Sequence, residues 1–141
     1  GLLERQFRKY FTEALSQKGN TGFTLLRFLE LRLDNVVYRL GFASTRAQAR
    51  QMVGHGHIVV NNRVVDVPSY RVRPSETIAI RPQSANKTLF GTLAKQVENH
   101  DAPSWLQLDK STLIGKVASL PEQEHVEQAI SPQLIVEFYS R

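Results

Sequence analysis

Between Arg32 and Ile80 the chain changes once from a helical period to a strand period, and that single switch restricts its fold more than any other feature. Leu33, Val36, Val37 and Leu40 are spaced i, i+3, i+4, i+7, which places them on one face of a helix, and Gly41 follows as a natural C-terminal stop. A second short helix is expected to open at Thr45. Gln48 stands three residues later as a capping-box partner, and Ala49, Met52 and Val53 turn inward until Gly54 and Gly56 break the helix. Strand grammar then takes over. His57-Ile58-Val59-Val60 and Val64-Val65 flank the polar turn Asn61-Asn62-Arg63, and Thr77-Ile78-Ala79-Ile80 is a further strand after the turns at Pro68-Ser69-Tyr70 and Pro74-Ser75-Glu76. Two short helices leading into a small antiparallel sheet make this an α+β protein.

The flanks are simpler. Residues 2–17 read as a helix, with Leu3, Phe7, Tyr10, Phe11, Ala14 and Leu15 at three- and four-residue intervals and Arg5, Arg8 and Lys9 on another face. A second helical run starts at about Thr24, so rich in leucine that it is expected to be buried on most sides. After the module, residues 88–99 are a helix candidate. Residues 105–108, 114–117 and 134–138 are strand candidates, and 121–128 a loop or short helix.

Charge is distributed unevenly. Residues 1–87 hold 14 Lys/Arg against 6 Asp/Glu, a net of +8, whereas residues 88–141 hold 4 against 7, a net of −3; together these give the overall +5. Segregation along the chain points to one surface made for a polyanion and another turned away from it. Eleven of the first 14 cations are arginines, whose planar fork matches phosphate and base edges. Nucleic acid is the leading partner. The chain has no cysteine, which excludes disulfides, and no apolar run of the roughly 18 residues that a membrane span requires. Gly1 follows either a removed initiator or a longer N-terminal segment, and the N-terminus does not read as a secretion signal.

The strongest constellation is an exposed arginine face on the paired helices. Arg32 and Arg39 are two helical turns apart, and Arg46 and Arg50 one turn apart. His55 and His57 follow, bracketed by glycines that would let backbone N–H groups approach RNA closely, with Arg71 and Arg73 after the hairpin. A solvated helix face is the alternative for these charges. Tyr70, in a loop beside Arg71, is the better base-stacking candidate, while Tyr10 and Tyr38 read as core. His55-Gly56-His57 lacks the further ligands a metal needs, so no metal and no cofactor is expected. No phosphate loop, dinucleotide fingerprint or catalytic constellation is present.

These residues resemble a known module. Arg32-Leu33-Asp34-Asn35-Val36-Val37-Tyr38-Arg39-Leu40-Gly41, then Thr45-Arg46-Ala47-Gln48-Ala49-Arg50-Gln51, Val53-Gly54-His55-Gly56-His57-Ile58 and Pro68-Ser69-Tyr70-Arg71-Val72 are similar to the S-four RNA-binding module. The flanks Leu3-Glu4-Arg5-Gln6-Phe7-Arg8 and Leu134-Ile135-Val136-Glu137-Phe138-Tyr139-Ser140-Arg141 look like those of the small-subunit ribosomal protein S-four family. The resemblance implies a non-enzymatic constituent of the small ribosomal subunit, cytoplasmic and bacterial rather than organellar. Such a protein binds small-subunit ribosomal RNA, nucleates assembly of the subunit body and contributes to translational accuracy. It also implies contact with ribosomal protein S-five and other small-subunit proteins and, in some bacteria, with the protein's own messenger; no membrane is involved. The family's segment upstream of Leu3, which holds zinc in some members, has no counterpart in this sequence. The RNA-contacting candidates are Arg5, Arg8, Lys9, Arg32, Arg39, Thr45, Arg46, Gln48, Arg50, His55, His57, Tyr70, Arg71 and Arg73.

The organisation expected is a helical part at 1–31, completed by parts of 110–141, with the RNA-binding module inserted at 32–87. Residues 88–141 would supply a C-terminal helix and strands that extend the sheet and pack back. An RNA-modifying enzyme that borrows the module, such as a pseudouridine synthase, would need a catalytic domain for which about 54 residues leave too little room. A free-standing RNA-binding stress factor would not carry the ribosomal tail.

Overall fold

The computed structural model describes residues 21–122 of the chain. The chain divides into two compact units, residues 1–30 with 121–141, and residues 31–120. In the first, the described part is helix α1 (Thr21–Glu30), which buries Leu25, Leu26 and Phe28. Arg27 stacks on the Phe23 ring 4.4 Å from its centroid and donates from Nε to the Pro121 carbonyl at 3.3 Å. The helix expected at 2–17 and the strand expected at 134–138 lie outside the described residues.

The second unit opens with α2 (Leu33–Arg39) and α3 (Arg46–Gly54). Both end in the same way. Gly41 (φ +87°) and Gly56 (φ +77°) adopt the left-handed conformation that closes a helix C-terminus. Beyond α2, Gly41 N–H donates to the Tyr38 carbonyl and Phe42 N–H to Val37; beyond α3, Gly56 N–H donates to Val53 and His57 N–H to Met52. Gly56 therefore terminates α3, while Gly54, expected to share that task, is its last helical residue. At the start of α3, Thr45 Oγ1 accepts from Gln48 N–H at 3.0 Å. Gln48 Oε1 accepts in return from the N–H and hydroxyl of Ser44, one residue earlier than a standard capping box.

Five antiparallel strands follow in the spatial order β2-β1-β3-β5-β4: β1 (Ile58–Val60), β2 (Arg63–Val64), β3 (Thr77–Ile80), β4 (Leu106–Asp109) and β5 (Ile114–Val117). Asn61 and Asn62, both at positive φ, make the two-residue turn that suits the twist of the β1–β2 hairpin. Helix α4 (Lys87–Val97), capped by the Asn86 side chain on Leu89 N–H, lies between β3 and β4 in the chain. The strands alternate, so that Ile58, Val60, Ile78, Ile80, Leu106 and Val117 join Leu33, Val36, Val37, Leu40, Ala49 and Val53 in one core. The closest approach is at Gly115: a Cβ there would stand 2.5 Å from Leu40 Cδ1, so a side chain at 115 would force the Leu40 side chain, at the end of α2, to move.

A candidate nucleic-acid interface

The interface grows from two loops and two helix ends. After β2 the chain returns along the N-terminus of α2. Arg71 pairs with Arg32 in an isolated antiparallel bridge, Leu33 N–H donates to the Tyr70 carbonyl at 2.7 Å, and Val72 N–H donates to Leu31. Tyr70, Arg71 and Val72 are thereby strapped beside the opening turn of α2, with Arg73 next in the chain. Glu76 locks this strap, accepting from the Tyr70 hydroxyl at 2.6 Å and from Arg73 N–H at 2.6 Å. Partial burial, then the hydrogen bond and negative charge of Glu76, push the Tyr70 phenol above its ordinary pKa.

Arg32 departs from the exposed face expected of it. It precedes α2 in an extended conformation (φ −60°, ψ 140°), so the two-turn spacing to Arg39 does not align them. Its side chain is only 5% exposed and forks onto Asp34, with Nε at 3.1 Å and Nη2 at 3.0 Å from the carboxylate oxygens. Arg32 anchors the helix start instead of presenting charge to a ligand.

Three other arginines lie on α2 and α3. Arg46 is exposed, Arg39 and Arg50 half-buried. The Arg46 guanidinium lies 4.5 Å from the centroid of the Tyr38 ring, so Tyr38, expected in the core, is half-buried and carries a cation on its face. Thr45 and Gln48 are exposed but are engaged in the cap of α3.

At the far end of α3, His55 and His57 are both exposed, their rings 6.2 Å apart and edge to face. The backbone does not behave as expected here. The N–H groups of His55, Gly56 and His57 are all spent on the Gln51, Val53 and Met52 carbonyls, so what this turn can offer RNA is side chains. Arg5, Arg8 and Lys9 lie outside the described residues. Among the described residues no group of three His, Asp or Glu is arranged to hold a metal ion, and no helix is long and apolar enough to cross a membrane.

Sequence reasoning missed the segment after β3. Antiparallel pairing of Ile58 with Ile80 sets Arg81 opposite His57, and Arg81 N–H donates to the His57 carbonyl at 2.7 Å. Ser84 Oγ then meets His57 Nδ1 at 2.7 Å. The matching alternation of Ile58/Val60 with Ile78/Ile80 is the sequence signal that could have located Arg81. No such signal existed for Ser84.

Residues 31–78 match the S4 domain family, and residues 1–30 match the family described as ribosomal protein S4/S9 N-terminal domain. The small ribosomal subunit protein uS4 of Chloroflexus aurantiacus is 55% identical over 143 aligned residues, covering 100% of this chain and 69% of its own. Those of Persephonella marina and Aquifex aeolicus are each 52% identical, covering 99% and 100% of this chain and 68% of theirs. The chain belongs to the uS4 family. Within this uS4-family chain the S4 match takes in both short helices, β1, β2 and the strap, and ends inside β3. Arg81 and Ser84 stand just beyond it.

Proposed function

We propose that this chain is a structural, non-enzymatic constituent of the small ribosomal subunit that binds small-subunit ribosomal RNA through the surface shared by α2, α3 and the 70–73 strap. The observation that carries the reading is that relatives named as small ribosomal subunit proteins match end to end, not over the RNA-binding module alone. An enzyme that borrows the module would share only the module. The geometry supports RNA as ligand: Arg39 lies on α2 and Arg46 and Arg50 on α3, Arg71 is held by backbone pairing at the start of α2, and Arg73 is held by Glu76. Cations on these elements suit a phosphate backbone, and Tyr70, half-buried with its hydroxyl tied to Glu76, stands beside Arg71.

The finer parts of the reading rest on family membership. They are nucleation of subunit-body assembly, an influence on decoding accuracy, contact with ribosomal protein S-five, binding of the protein's own messenger, and a bacterial cytoplasmic setting. Filter binding of the chain to small- and large-subunit ribosomal RNA across a salt series tests the core of it. Preference for the small-subunit RNA is expected, with log K falling linearly in log salt by roughly 0.7 to 0.9 per phosphate contacted. Equal affinity for both RNAs, or a flat salt response, would remove the reading.

A further inference from the structure

We propose that Arg81, with His57 and Ser84 beside it, forms a second RNA-phosphate contact that continues the α3 face across the start of the sheet. The proposal rests on reading this chain as an RNA-binding protein, and it enlarges the binding surface beyond the S4-domain match, which stops at residue 78.

Three observations carry it. The first is placement. Arg81 is held opposite His57 by the β1–β3 register, and its Nη1 lies 4.0 Å from where a Cβ on Gly56 would stand. The guanidinium therefore lies over the bare turn that ends α3, with His57 beside it across the strand pairing. The second is charge. Arg81 is half-exposed and, among the described residues, forms no ion pair; its Nε donates to the neutral Oε1 of Gln83 at 3.2 Å. That bond fixes the side chain while leaving its full charge and its terminal N–H groups for a ligand, which a merely solvated arginine has no need of. The third is the histidine. Ser84 Oγ stands 2.7 Å from His57 Nδ1 and holds the ring, leaving Nε2 at the opposite edge of an exposed imidazole open to a ligand. A guanidinium and an imidazole edge, both tethered by neutral partners, match the oxygens of one phosphate. An acidic protein segment could meet the same donors. The net +8 of residues 1–87, to which Arg81 belongs, favours RNA.

The test is binding of the full chain to small-subunit ribosomal RNA over a salt series, with Arg81→Ala, Arg81→Gln, Ser84→Ala, His57→Gln and the Arg46→Ala/Arg50→Ala pair. Arg81→Gln retains much of the aliphatic stem and serves if the alanine variant folds poorly. Arg81→Ala or Arg81→Gln should weaken binding about tenfold and flatten the log–log slope by about 0.7 to 0.9, one contact's share. Ser84→Ala should weaken it less, and not at all when His57→Gln is already present. If the Arg46/Arg50 pair weakens binding while both Arg81 variants stay within twofold of the parent at an unchanged slope, the proposal is overturned and the α3 reading stands. Silence of both sets would overturn the RNA face itself. Loss of affinity without a change of slope would rule out a phosphate contact.

Discussion

Tyr38 lies at the edge of the apolar stripe of α2, and its ring sits under the Arg46 guanidinium. A cation held this way keeps less rotational freedom to lose on binding, and stacking at a partly exposed site is worth about 0.5 to 1 kcal/mol. Tyr38→Leu should therefore weaken RNA binding about two- to fivefold, Tyr38→Phe hardly at all, and Tyr38→Leu should have no effect once Arg46 is alanine. A loss that persists in the Arg46→Ala background would mean that Tyr38 acts only through packing. Gly41 poses a different residue-scale test. It combines φ +87° with the His100 ring 2.8 Å from where a Cβ would lie, so Gly41→Ala is expected to cost about 2 to 4 kcal/mol of stability in urea unfolding. Tyr70 should ionise later than free tyrosine. Because its folded pKa is raised, the stability it contributes is present below the unfolded value of 10.0 and is lost as pH rises past it. Glu76→Gln should bring the titration, followed by near-UV absorbance, part of the way back. Gly41 was legible from sequence because a glycine after an apolar stripe has few other uses. Arg32 was not, because its role turns on a helix boundary one residue away, which periodicity does not resolve.

At the scale of elements, helix α2 is fixed at both ends by segments distant in sequence. At its start the Arg32–Asp34 pair is nearly buried, the strap at 70–72 pairs with its backbone, and Asp34 N–H donates to the Pro68 carbonyl. Asp34→Ala removes the carboxylate on which the buried Arg32 guanidinium forks, so it should cost about 3 kcal/mol and loosen the strap. Faster proteolysis or amide exchange at 68–73 would show this, and an unchanged unfolding midpoint would contradict it. At its end the carbonyls of Arg39 and Gly41, left over by the helix, accept from His100 Nε2 in the loop after α4 and from Gln96 Nε2 of α4. The identity of the elements was legible because each carries its own period. The spatial order β2-β1-β3-β5-β4 was not, since it rests on pairing between strands far apart in sequence, such as Ile78 with Gly115. The site divided along the same line. Arg46 and Arg50 follow from spacing within one helix, whereas Arg81 enters only through strand register.

For the whole molecule, the charge imbalance of +8 over residues 1–87 and −3 over 88–141 separates what should touch RNA from what should not. Among the described acidic positions of the second part, Glu98, Asp101, Asp109 and Glu122 are all exposed. Reversal of Glu122, Glu124 and Glu127 to lysine should leave affinity for naked RNA undiminished and act instead on a protein contact, with S-five the neighbour the family resemblance names. A large loss of RNA affinity in that variant would place RNA on the acidic side. The central claim is membership of the small subunit by direct RNA binding, and sedimentation addresses it most directly. Tagged chain expressed in a bacterium should co-migrate with the small subunit through a sucrose gradient at low salt, and the Arg46→Ala/Arg50→Ala variant should shift toward the free fractions. Migration of the parent protein with the large subunit, or as free protein, would contradict the account.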